Sequence, residues 1–221
     1  MTRESLVSAV RQPTSAAVAG LVFGAILTAA LVLLHSAEPS VGVEATGWVS
    51  DPAKRDAVNL AVSLVPFAGI AFLWFIAVIR SQLGSSEDRF FETVFLGSGL
   101  IFVALLFTAA AALKGVLMVA QAGGPVSPEV RAYAWGLAAS LLGTFGSRMV
   151  AVFMLSATTM GMRTRTIPPW LGIPAYVIAL LLLLTPPLPD LVQFLFPAWV
   201  ITLSLFILAR RHLVRPPRGT G

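Results

Sequence analysis

Two cations stand inside apolar stretches of the chain, and no other charged side chain does. Arg148 lies within GLAASLLGTFGSRMVAVFML (residues 136–155) and Lys114 within LIFVALLFTAAAALKGVLMV (residues 100–119), while no Asp or Glu occurs in any stretch of comparable hydrophobicity. An arginine at mid-bilayer costs on the order of 2.5–3.5 kcal/mol on insertion scales, so it needs something to hold. An anionic ligand or lipid headgroup would serve, as would Thr144, Ser147, Gln193 of the last apolar stretch, or carbonyls freed at a proline kink. The fork of the guanidinium suits a carboxylate or phosphate, which makes Arg148, with Lys114, Ser147, Thr144 and Gln193, the candidate binding group.

Other site chemistries lack their parts. A hydrolase or metalloenzyme needs a nucleophile with a base, paired carboxylates or clustered ligands at one depth. The two histidines, His35 and His212, fall on opposite sides of the expected membrane, and the chain has no cysteine. Glu92 reads as a helix N-terminal charge. No glycine loop stands in a strand-to-helix setting, so nucleotide chemistry has no support. The expectation is a non-catalytic protein without metal or cofactor.

What must position these residues is a set of membrane helices. The chain has 221 residues, 57% hydrophobic and 11% charged, where soluble domains carry about 25% charged residues. Apolar runs at about 16–34, 58–80, 94–120, 132–159, 170–185 and 191–209 predict an all-α bundle of six transmembrane helices, followed by a basic tail at 210–221. The run at 170–185 is the shortest and holds Pro174. The first run is too long for a signal sequence and is read as a retained anchor.

Charge placement orients the bundle. With the N-terminus cytoplasmic, Arg3, Arg11, Arg80, Arg89, Arg163, Arg165, Arg210, Arg211, Arg215 and Arg218 lie inside, against Lys54, Arg55 and Arg131 outside. This asymmetry predicts that both termini are cytoplasmic. It accounts for the pI of 10.7 as a topology signal and an attraction to anionic headgroups, with no nucleic-acid partner.

Finer marks fit this frame. Asp51-Pro52, Ser85-Ser86-Glu87-Asp88 and Ser127-Pro128-Glu129 read as helix starts. Trp48, Tyr133 and Trp135 would lie near the outer interface, and Trp74 and Trp170 near the inner one. Ala16, Gly20, Gly24 and Thr28 form a small-residue row expected to pack against another helix of the same chain, with dimerisation as the alternative. Gly136, Ser140 and Gly143 form a similar packing row on the fourth span, on the stripe that carries Arg148. Pro66, Pro174 and Pro197 are expected to kink the second, fifth and sixth spans. Because side chains lean toward the N-terminus of their helix, Lys114 and Arg148, on antiparallel helices, are expected to face a common level.

EDRFFETVFLGSGLIFVALLF (87–107) and SRMVAVFMLSATTMGMRTRTIPPWLG (147–172) resemble segments of small multi-pass membrane proteins of high-GC bacteria that carry no assigned activity. The resemblance implies a bacterial plasma membrane and transfers no site residue. Two function classes follow from the residues. One is binding or transport of an anionic amphiphile or small anion near Arg148. The other is a structural or accessory role through assembly with itself or a membrane partner.

Overall fold

The computed structural model describes residues 13–37, 47–83, 89–184 and 190–213. Its elements are α1 (Pro13–Ser36), a single turn α2 (Gly47–Ser50), α3 (Pro52–Leu83), α4 (Arg89–Gln121), α5 (Pro128–Ser140), a π-helical turn (Leu141–Gly146), α6 (Ser147–Arg163), α7 (Pro169–Leu184), a 3₁₀ turn (Asp190–Phe194) and α8 (Leu195–Leu213). No strand occurs among the described residues. The helix-start reading at residues 85–88, the acidic segment 38–46, Arg3, Arg11 and the tail beyond Leu213 lie outside them.

Five segments are long and apolar enough to cross a membrane: Ser15–Ser36, Pro52–Arg80, Arg89–Gln121, Pro128–Arg163 and Val192–Arg210. The chain is therefore helical and of multi-pass membrane character. The run expected at 170–185 is α7, apolar but only 16 residues long. At 1.5 Å per residue that is about 24 Å, short of a bilayer core of about 30 Å.

Two helix starts follow their local chemistry. Asp51 Oδ1 accepts from Ala53 N at 2.9 Å, with Pro52 at the first position of α3 where its missing amide costs nothing. Ser127 Oγ accepts from Val130 N at 3.4 Å and caps α5. Pro66 and Pro174 lie inside α3 and α7. Pro197, expected to interrupt a span, stands instead in the first turn of α8, where the helix has few amide bonds to lose.

α1 packs against α3 and α8, α3 against α4, α4 against the whole α5–α6 segment, and α6 against α7, whereas α7 barely touches α8. An aromatic cluster joins five of these helices. Phe72 of α3 lies 4.5 Å from Phe23, 5.6 Å from Phe102, 5.1 Å from Phe153 and 5.7 Å from Phe196, ring centre to ring centre. Such pairs contribute about 0.5–1.5 kcal/mol each beyond the area they bury. Gly20 and Gly24 lie where α1 meets its neighbours: a Cβ at Gly20 would strike Ser204 and Phe75, and one at Gly24 would strike Ile201.

A second, smaller core closes the end of the bundle that carries α2. Trp48, placed by sequence at the lipid interface, is fully buried there among Val58, Leu117 and Ala138, with its ring 5.6 Å from Trp135. The turn α2 folds the indole inward over the ends of α3, α4 and α5, which hydropathy alone does not distinguish from a surface belt.

Candidate functional site: an apolar cleft beside a π-helical turn

The α5–α6 segment is not uniformly wound. Ser147 N donates to Leu142 O, five residues back, and Leu141–Gly146 forms a π-helical turn. Gly143 and Gly146 fall within it, and glycine weakens the α-helical preference by about 1 kcal/mol per residue. Where pairing returns to four residues, a carbonyl at the junction is left to side-chain donors. Ser147 Oγ donates to Gly143 O at 2.6 Å, and Arg148 Nη1 donates to Thr144 O at 2.6 Å.

Arg148 thus holds the shoulder of its own helix. It is partly buried, and no carboxylate is bonded to it among the described residues. Lys114 is held elsewhere: its Nζ donates to Asn59 Oδ1 at 2.7 Å, tying α4 to α3. The two cations therefore do not share a partner or a wall of one cavity. A search for intramembrane acids passes over Asn59, whose neutral carbonyl oxygen accepts an ammonium proton without a second charge.

The π turn forms one wall of a partly enclosed cleft with about 650 Å³ of atom-free space. Leu27 and Leu31 of α1, Phe102 and Leu106 of α4, Leu142 and Gly143 of the turn, Ser147 and Val150 of α6, Leu182 of α7, and Val192, Gln193 and Phe196 line it. A neighbouring pocket of about 570 Å³ shares Leu31, Leu142 and Gln193 and reaches His35 and Trp135. From Leu27 to His35 the two extend eight residues along α1, about 12 Å.

Of the sequence candidates, Ser147, Gly143 and Gln193 line this cleft, whereas Arg148, Thr144 and Lys114 do not. The packing row assigned to Gly136, Ser140 and Gly143 is corrected. Gly136 and Ser140 are exposed, and a Cβ at Gly136 or Gly143 would meet no atom within 4 Å. Ala134 and Ala138, on the other side of α5, make the close contact. The π turn shifts phase between α5 and α6, so a stripe drawn at constant helical spacing leaves the true interface. The pair of glycines followed by Ser147 was the one signal of that turn in the sequence. No group of three or more metal-ligating side chains occurs among the described residues.

Comparison with known protein families, curated proteins and solved structures returns no match.

Proposed function

We propose that the chain is a non-catalytic plasma-membrane protein of six spans, with both termini cytoplasmic, that binds the apolar chain of a membrane amphiphile in the cleft beside the π turn. The observation that carries this reading is the cleft itself. Its walls are aliphatic and aromatic with a few convergent polar groups, the lining that small-molecule sites have. Gln193 and Ser147, with His35 in the adjoining pocket, supply hydrogen-bonding groups for a polar head. A small anion is the poorer occupant, because neither Arg148 nor Lys114 lines the space. In this reading Arg148 is a positioning residue that steadies the π turn.

A second reading is favoured by the open face of α5. Gly136 and Ser140 present small side chains with free space around them, as a helix from another membrane protein would require. In that reading the protein is an accessory subunit.

Native mass spectrometry from lipid nanodiscs separates the two. Filling the cleft by Leu142→Trp should remove a co-purifying amphiphile and leave the subunit count unchanged, while Gly136→Leu should alter neither the bound amphiphile nor the subunit count. A wild-type chain with no bound amphiphile above the level of the Leu142→Trp variant would end the first reading. Loss of an oligomer in Gly136→Leu would establish the second.

A further inference from the structure

The turn between α6 and α7 carries a cation where the backbone asks for glycine. α6 ends with Thr166 N donating to Gly161 O at 2.8 Å and Arg165 N donating to Met162 O at 3.1 Å. This paired closure puts the residue after the cap into the left-handed region, usually as glycine, because a Cβ there crowds the next carbonyl. Here it is Arg165, at φ 54°, the one non-glycine residue with positive φ among the described residues. Local strain of this kind persists where the surroundings impose it and gathers at functional positions.

A second cation is fastened to the same turn. Arg210, at the end of α8, donates from Nη1 to Arg165 O at 3.4 Å and to Thr166 O at 3.2 Å. Both arginines are exposed, and no carboxylate is bonded to either among the described residues. Glu92, in the first turn of α4, is bonded to Arg80.

Beneath them the surface changes in the order a phospholipid does. Trp170, 64% exposed on the first turn of α7, sets its ring edge-on to Phe206 of α8 at 5.7 Å, one helical turn before Arg210. Farther along, Ile173, Val177 and Leu205 are more than half exposed on two helices that hardly pack together. Cations, then an aromatic pair, then an aliphatic seam match phosphate, glycerol ester and acyl chain. Free phosphate would have no use for the lower two layers.

We infer that Arg165 and Arg210 form a headgroup site for an anionic phospholipid, whose acyl chain lies along the seam between α7 and α8. The site rests on the membrane reading of the chain and is independent of the cleft beside the π turn.

The test uses the full chain in nanodiscs of phosphatidylcholine alone and of phosphatidylcholine mixed with phosphatidylglycerol. Lipid retention is read by native mass spectrometry, and stability by melting temperature. Wild type should retain phosphatidylglycerol preferentially and melt higher when it is present. Arg165→Asn keeps a residue that accepts left-handed φ and should melt like wild type in phosphatidylcholine. Arg165→Asn and Arg210→Gln should each weaken phosphatidylglycerol retention about fivefold, the scale of one basic residue at an anionic surface. Lys54→Gln, at the other end of the bundle, should change nothing. The proposal is overturned if both arginine variants retain the lipid as wild type does, or if Lys54→Gln weakens it equally. It is likewise overturned if Arg165→Asn melts lower by the same amount in both lipids, if inorganic phosphate alone gives the same stabilisation, or if a second copy of the chain occupies the seam.

Discussion

At the residue scale, the partner of a charge matters more than the charge. Lys114 and Asn59 join α4 to α3 through one bond of 2.7 Å at a partly buried position. Removing the acceptor should cost more than removing the cation, because an unpartnered ammonium keeps its desolvation penalty. Asn59→Leu is expected to lower stability by about 1–3 kcal/mol, and Lys114→Leu by less. The double variant should recover to within about 1 kcal/mol of wild type, since two apolar side chains replace a satisfied pair at little cost. Thermal melts of the three proteins in detergent would show this, and additive losses would contradict it. Gly24 is governed by space, with Ile201 in the way of any Cβ. Gly24→Leu should lower stability by about 1–3 kcal/mol without changing oligomer size, measured by melting and by light scattering. Loss of a dimer at unchanged monomer stability would assign the row to self-association.

At the element scale, the π turn shapes the cleft. It holds one residue more per turn than the α-helix on either side, and Phe145 within it is exposed. Deleting Phe145 should let Pro128–Arg163 wind as continuous α-helix with both flanks still in register, so the protein should fold and melt near wild type. The wall at Gly143 and Ser147 would close in, and the amphiphile should be lost on native mass spectrometry. Deleting Val152 from the regular α6 should instead misplace every buried residue beyond it and destabilise the fold. Equal stability of the two deletions would show that the turn does not absorb a residue. This element was barely legible in the sequence, because a π turn leaves the hydrophobic pattern intact on each side and changes only the phase between them.

At the scale of the whole molecule, the arrangement depends on which loops share a face of the membrane. The chain has no cysteine, so single cysteines report without background. Under six spans with both ends inside, a cysteine at Gly124 should react with an impermeant thiol reagent in intact cells, and one at Thr164 should not. The decisive segment is α7, because its 16 residues must cross by tilt or by local thinning of the bilayer. If Thr164 is labelled and Gly124 is not, the orientation derived from basic residues is wrong.

By itself the sequence determined the helical, membrane-spanning character, the starts of α3 and α5, and that the apolar stretches carrying Arg148 and Lys114 hold no acid. Each of these is written in composition or in residues a few positions apart, where local chemistry acts alone. Only the tertiary structure decided what Arg148 and Lys114 hold, that Trp48 turns inward, that Phe23, Phe72, Phe102, Phe153 and Phe196 meet, and that Gly136 faces out. These depend on the rotation of each helix about its axis. In an apolar helix nearly every face is hydrophobic, so periodicity marks no buried side, and the rotation is set by close packing against neighbours distant in the chain.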